Sequence, residues 1–196
     1  MHIFCRPSQI LDEIRSTPNF VGMVYDTFGL GPYKLLLSTW PAYHFIGTIE
    51  DWNKTEGQLK LALEHSGREW SINEGDGAFY GPKIDIILKD SHGKEHQAAT
   101  IQLDFQLPQR FKLQYQTAPK DLTTAVSSYE GSQSTLENGH VRPVIIHRTI
   151  LGSLERFMAL LIEHYAGIYP FWLSPRPVIT LSFDQNPKVL SHVHNI

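Results

Sequence analysis

One run limits what this chain can fold into more than any other: Arg142-Pro143-Val144-Ile145-Ile146-His147-Arg148-Thr149-Ile150-Leu151-Gly152-Ser153-Leu154-Glu155-Arg156. It starts as a short apolar strand ending in a histidine, turns through Gly152-Ser153, and enters a helical pattern. The run therefore commits the chain to both a sheet and a helix. Leu154, Phe157, Met158, Leu161, Ile162 and Tyr165 recur at helical spacing, which predicts one buried face made of these residues. The turn points free backbone N–H groups beyond the strand end, where an anion is favoured. Such corners are more often packing features than ligand sites, so the residues alone mark a candidate phosphate or nucleotide corner and leave both readings open.

The remaining elements fill out an α+β pattern. His2-Ile3-Phe4-Cys5 alternates as a strand. Pro7-Ser8 opens a helix with Ile10, Leu11 and Ile14 inward, which Pro18 is expected to end. A second helical segment, with Phe20, Val21, Val24 and Tyr25 inward, runs to Gly29-Leu30-Gly31-Pro32. Tyr33 to Ser38 reads as a strand and Thr39 to Gly47 as a loop. Ile49 to about Glu64 reads as a helix burying Trp52, Leu59, Leu61, Ala62 and Leu63, and Gly67 closes it. After a short strand at Glu69 to Ile72, three glycines crowd Phe79-Tyr80 between Glu74 and Lys83. Glycine permits close backbone approach, and Pro82 holds its predecessor extended, so this is a shaped loop.

Ile84 to Leu88 and Gln97 to Phe105, joined at Asp90-Ser91-His92-Gly93-Lys94, predict an antiparallel hairpin. On its second strand Thr100, Gln102 and Asp104 share one face and alternate with Ala99, Ile101 and Leu103. A solvated sheet face is the commoner reason for such a stripe, and the floor of a polar pocket is the other. Leu107 to Arg110 reads as a turn and Phe111 to Tyr115 as a strand. Residues 116–141 form a polar stretch without period, expected to be a surface insertion and a candidate for disorder. Pro170 to Pro177 is a rigid connector, after which Val178 to Leu181 reads as a strand. The sum is an α+β fold, a mainly antiparallel sheet flanked by helices.

Composition narrows function. A net charge of −3 argues against a chain whose main work is gripping a phosphate backbone, although a local basic groove stays open. A single cysteine, Cys5, excludes an intramolecular disulfide and a cysteine-built zinc site. No apolar run reaches membrane-spanning length, and no signal or transit peptide is evident. The abrupt opening strand reads as a chain that starts inside a domain.

Three segments, in this order, resemble one family. They are Glu74-Gly75-Asp76-Gly77-Ala78-Phe79-Tyr80-Gly81-Pro82-Lys83-Ile84-Asp85, then Ala99-Thr100-Ile101-Gln102-Leu103-Asp104-Phe105-Gln106-Leu107-Pro108, then Pro143 to Arg148 with Ile150 to Arg156. Together they resemble the class II catalytic domain of threonyl-tRNA synthetases, whose third signature motif Gly152 to Arg156 matches. The likeness implies a partial catalytic domain over 1–175, carrying the 116–141 insertion, and over 176–196 a tail or the start of an anticodon-binding domain. It implies ATP-dependent activation of threonine to threonyl-adenylate and transfer to tRNA(Thr), with ATP and its Mg as substrate, Zn as cofactor, no membrane, and a homodimeric parent enzyme in the cytoplasm or the mitochondrion.

By the same likeness, Arg156 stacks on adenine, and Gly152 and Ser153 give the nucleotide room. Gln97, Thr100 and Gln102 line the ribose and aminoacyl pocket. Tyr80 and Lys83 lie beside the adenylate, where Lys83 neutralises developing phosphate charge. His2 and His147 match two of three zinc ligands. In the family, zinc holds threonine by its amino and hydroxyl groups, and a site that demands a hydroxyl rejects nearly isosteric valine. Each residue also has a commoner reading: a surface arginine, a solvated lysine, a satisfied core histidine.

This chain departs from the pattern in places. The third zinc ligand of the family, a cysteine, has no counterpart; Cys5 faces away from His2 on an alternating strand. Met1 stands near the place of an acidic residue, and Trp40 stands where the family usually has arginine. The family's first two motifs and its phosphate-binding arginine have no counterpart either. The chain by itself is therefore expected to be inactive. The alternative reading is a non-catalytic binding or regulatory derivative of such an enzyme.

Overall fold

The computed structural model describes residues 1–116, 139–182 and 184–194. In chain order its strands are β1 (His2–Cys5), β2 (Tyr33–Ser38), β3 (Trp70–Asn73), β4 (Lys83–Lys89), β5 (Glu95–Asp104), β6 (Tyr115–Gln116), β7 (His140–Val141) and β8 (Val144–Thr149). The helices are α1 (Ile10–Thr27), α2 (Ile49–His65), α3 (Gln106–Arg110), α4 (Leu154–Tyr165) and α5 (Pro187–His194). The chain divides into two compact units, Met1–His164 and Tyr165–Ile196.

The first unit is built on a six-stranded sheet in the order β1-β8-β5-β4-β2-β3. Its neighbours pair antiparallel except β2 with β3, which are parallel. The expected hairpin is β4–β5, and one register shift between Ile86 and Ile87 puts a bulge opposite them on β5. The back of the sheet is apolar. Leu35, Leu37, Ile84, Ile86, Ile101, Leu103 and Ile146 are all buried there. Each such side chain contributes about 1.5–3 kcal/mol by leaving water.

Helix α1 covers this face with Ile10, Ile14, Val21 and Tyr25, all fully buried. Its fit to β8 is partly polar. The Arg148 guanidinium donates to Thr17 Oγ1 at 3.4 Å and lies 5.6 Å from the Phe20 ring centre. Tyr25 packs between Tyr33 and Phe157 and donates its hydroxyl to the Ile150 carbonyl at 3.2 Å. Helix α2 starts at Thr48, whose hydroxyl oxygen caps the Asp51 N–H at 3.2 Å.

Several sequence expectations need correction. Pro18 does not end the first helix; α1 runs through it, with Pro18 buried. Proline removes one N–H bond, and the apolar stripe continues with the same phase on both sides, so burial outweighs that loss. Leu107 to Arg110 lies in the short helix α3 rather than a turn, and of the expected strand Phe111 to Tyr115 only Tyr115 lies in a strand, β6, paired with β7. Leu61 is exposed, so the buried side of α2 is Trp52, Thr55, Leu59, Ala62 and Leu63.

On α4 the buried stripe is Phe157, Leu160 and Leu161, while Leu154, Met158 and Ile162 are exposed. The period was legible, but the apolar arc spans roughly 200° of the helix, wider than the face that is buried, so the phase was left open. The ends of the expected loop at 116–141 are in strands, Gln116 in β6 and His140–Val141 as β7, paired antiparallel; its middle, 117–138, lies outside the described residues. In the second unit Val178 to Leu181 forms no strand, and α5 is an unexpected helix.

Candidate functional site

Cross-strand register assembles the site. His2 lies opposite His147, His147 opposite Gln102, Gln102 opposite Lys83, Lys83 opposite Ser38, and Ser38 opposite Asn73. Residues directly opposite one another point to the same face. One row across the sheet therefore carries a polar side chain from every strand. Two residues away, on the same face, Thr149 lies opposite Thr100 and Thr100 opposite Asp85. The polar stripe on β5 is thus a strip of a larger polar floor.

Asp85 lies under the middle of this floor, 2% exposed. Its Oδ2 accepts from Lys83 Nζ at 2.7 Å and Ser38 Oγ at 2.8 Å. Its Oδ1 accepts from Thr100 Oγ1 at 2.9 Å and from Gln97 Nε2. Lys83 is also bound to Asp76 at 3.0 Å. Burial on its own would lower the lysine pKa, but the hydrogen bonds and charges of Asp85 and Asp76 outweigh it, and the ammonium titrates above its ordinary range. Lys83 is therefore a fixed cation at the pocket floor.

At one end, Tyr80 donates its hydroxyl to Gln102 Oε1. Burial, with the nearby Asp104 charge, raises the Tyr80 pKa against a smaller lowering by Lys83, so the phenol keeps its proton. Beyond it, His147 Nε2 meets Asp104 Oδ2 at 2.8 Å, and His147 Nδ1 faces His2 Nδ1 at 2.7 Å. Asp104 is completely buried, and its other oxygen caps the N–H groups of Gln106 and Leu107 at 2.7 and 3.0 Å. A carboxylate accepts, so it favours the His147 tautomer with the proton on Nε2, which in the neutral ring leaves the Nδ1 lone pair on the side of His2.

This donor chemistry fits a zinc ion, whose histidine ligands are commonly oriented by a carboxylate in this way. The fit extends to two ligands. Cys5 is buried on the opposite side of β1 from His2. Among the described residues, three converging ligand atoms occur only at Asp90, His92 and Glu163, at the β4–β5 turn. There the groups already satisfy one another, Glu163 accepting from Ser91 and from His92 Nδ1, and they anchor the turn to α4.

At the other end, Gly152 and Ser153 pass over the β5 bulge. Gly152 has φ 61°, and a Cβ there would sit 2.7 Å from the Ala98 carbonyl oxygen. Glycine is required on both counts. The Ser153 hydroxyl oxygen caps the Arg156 N–H at 3.3 Å, and the hydroxyl donates to Glu155 at 2.6 Å. The helix terminus is therefore already capped and faced by a carboxylate, which weakens the simple phosphate-corner reading. Arg156 Nη1 donates to the Gln97 carbonyl at 3.1 Å, which sets the guanidinium beside the floor while the side chain stays exposed.

The structure thus brings the sequence candidates onto one face: His2 and His147 with Tyr80 and Gln102, then Lys83, then Gln97, Thr100, Gly152, Ser153 and Arg156. Sequence reasoning missed the buried acids that hold them. Asp85 interrupts the apolar run Ile84 to Leu88, and Asp104 closes another. A charge on a buried strand must be paired, which is the signal that would have found both. Beside Tyr80 an apolar recess opens between Trp52, Thr55, Phe105, Pro108 and Arg142.

Comparison with known proteins points to one family. The probable mitochondrial threonine–tRNA ligase of Schizosaccharomyces pombe is 51% identical over 195 residues, covering 100% of this chain and 39% of that protein. The cytoplasmic threonine–tRNA ligase 1 of Rattus norvegicus is 51% identical over 180 residues, covering 92% of this chain and 23% of that protein. A solved structure described as the RNA binding domain of threonyl-tRNA synthetase from Cryptosporidium parvum Iowa II superposes with a TM-score of 0.76 at 49% identity, covering 89% of this chain and 39% of that one. The chain thus spans about two fifths or less of the length of these relatives. The family model described as tRNA synthetase class II core domain (G, H, P, S and T) matches residues 1–165, and to this family the chain belongs.

Proposed function

We propose that this chain forms the nucleotide- and threonine-binding part of a site for threonine–tRNA ligation. In that reaction a carboxylate oxygen of threonine attacks the α-phosphorus of ATP, pyrophosphate leaves with the electron pair of the broken P–O bond, and the threonyl group then passes to the tRNA 3′ end. Neither step needs a protein nucleophile, so the protein contributes positioning and charge. Lys83, held charged by two carboxylates, faces the developing phosphate charge. Gln97 and Thr100 receive the ribose. The Arg156 guanidinium, bonded to the Gln97 carbonyl, presents its face to adenine. Tyr80 and Gln102 border the amino acid. His2 and His147 would hold zinc, which supplies a Lewis-acid centre for the amino and hydroxyl groups of threonine.

The observation that supports this reading most is the in-register polar row from His2 through His147, Gln102 and Lys83 to Ser38. It sets candidate amino-acid ligands and the candidate phosphate cation on one face at fixed strand spacing. The test is ATP binding by the purified chain, followed by threonine-dependent ATP–pyrophosphate exchange. Micromolar to millimolar ATP binding that Arg156→Ala weakens is expected, with exchange absent, because no counterpart of the third zinc ligand or the phosphate-binding arginine was identified. Exchange by the chain itself would assign it the complete first half-reaction. ATP binding without exchange agrees equally with a non-catalytic binding protein derived from such an enzyme, and absence of ATP binding overturns both.

A further inference from the structure

Asp85 receives four side-chain donors, and the direction of each bond is dictated by charge. Lys83 Nζ lies 2.7 Å from Asp85 Oδ2, which keeps the carboxyl ionised. An ionised carboxylate can only accept. Ser38 and Thr100 must therefore turn their single hydroxyl protons inward, and Gln97 must turn its Nε2 inward. This orientation follows from the chemistry of the groups and does not depend on telling an amide nitrogen from an oxygen.

The consequence appears on the open side of the floor. Gln97 has spent one of its two amide N–H groups on Asp85, which turns its Oε1 away from the carboxylate and leaves that oxygen and one N–H to offer. Thr100 has no proton left and offers only lone pairs. Both residue types can ordinarily donate as well as accept, yet here the floor they form is biased to accept. We propose that Asp85 is a positioning residue that fixes Thr100 as an acceptor and turns the Gln97 Oε1 outward, so that this part of the floor selects a ligand group that donates, namely the vicinal hydroxyls of a ribose. The selection of a ribose rests on the nucleotide-binding reading above; the orientation of Gln97 by Asp85 does not.

Two measurements on the full chain test this. The first uses ¹H–¹⁵N spectra without ligand, with the Gln97 side-chain amide assigned by its loss in Gln97→Glu. In the wild type the pair is expected away from the free-glutamine position and slow to exchange, and in Asp85→Asn it is expected to shift back toward that position. An amide at the free position in the wild type, or unmoved by Asp85→Asn, overturns the assignment. Should Asp85→Asn not fold, the wild-type spectrum still decides. Thr100→Val, which retains Asp85, then provides the second variant and is expected to leave the Gln97 amide in place.

The second measurement compares ATP with 2′,3′-dideoxy-ATP by titration calorimetry. Loss of a hydrogen bond to a donating hydroxyl predicts roughly a tenfold preference for ATP in the wild type. In Asp85→Asn the preference is expected to fall to about twofold or less, and Thr100→Val is expected to lower it part of the way. A purely structural role for Asp85 would weaken both nucleotides alike, and a preference that survives Asp85→Asn sinks the proposal. Failure of the wild type to bind ATP removes the nucleotide reading, while the ligand-free spectra still decide whether Asp85 orients Gln97.

Discussion

His147 is held between two partners, its Nε2 at 2.8 Å from the buried Asp104 carboxylate and its Nδ1 at 2.7 Å from Nδ1 of His2. The carboxylate sets the tautomer, and the tautomer sets which nitrogen can bind a metal. Zinc or cobalt titration of the chain is therefore expected to show a weak site that His147→Ala abolishes. Asp104→Asn, which keeps the shape and removes the charge, is expected to weaken it about 10–100-fold. Tight stoichiometric zinc would mean that a further ligand completes the site. Equal binding by Asp104→Asn would mean that Asp104 does not orient the ring.

The glycine-rich loop before β4 is shaped by contact rather than by flexibility. A Cβ at Gly81 would lie 2.0 Å from the Leu103 carbonyl oxygen, which is backbone of a central strand and cannot move aside. Gly81→Ala is expected to cost at least about 3 kcal/mol in chemical denaturation or to prevent folding. Gly57, within α2, has nothing within 4 Å of the same atom. Gly57→Ala is expected to stabilise by about 0.5–1 kcal/mol, because it lowers the entropy of the unfolded chain at a helical position.

Glu56 gives a pH dependence of known sign. Burial raises its carboxyl pKa, and the bond from the Trp40 N–H at 2.8 Å offsets that only in part. A raised native pKa means that the folded chain holds the proton more tightly than the unfolded one. The associated stabilisation is complete below the ordinary value of 4.5 and is lost as pH rises through the elevated one. Glu56→Gln keeps an oxygen for the Trp40 N–H without the charge. Its melting temperature is expected to exceed that of the wild type at pH 7, with the gain vanishing near pH 4. A constant difference across that range would show that ionisation of Glu56 is not its cause.

How far the sequence could be read depended on the range of the interactions. The β4–β5 hairpin was legible because a short turn and alternating residues fix it locally. The candidate residues from His2 to Arg156 were named by likeness, since nothing in the spacing relates His2 to His147, and the fold brings them to one face. The acids beneath them were not singled out because their role exists only after folding. Asp85 meets Ser38 from one neighbouring strand and Gln97 and Thr100 from the other, and in sequence it is one acid in an apolar run. Pro18 was misread because local propensity opposed tertiary burial and lost.

The phase of α4 supplies the last test. Leu154, Met158 and Ile162 have helical spacing as regular as that of Phe157, Leu160 and Leu161, so periodicity alone admits two orientations, rotated by roughly 110° about the helix axis. The structure buries the second set, with Phe157 against Tyr25 and Phe28, and leaves Ile162 54% exposed against 3% for Leu161. Leu161→Ala deletes methyl groups from a packed site and is expected to cost about 2–5 kcal/mol. Ile162→Ala removes atoms already facing outward, and alanine is the better helix former, so its expected cost is less than about 1 kcal/mol. Denaturant midpoints of the two variants, measured side by side, decide the orientation. If Ile162→Ala proves the costlier change, α4 is rotated toward the Leu154, Met158 and Ile162 side.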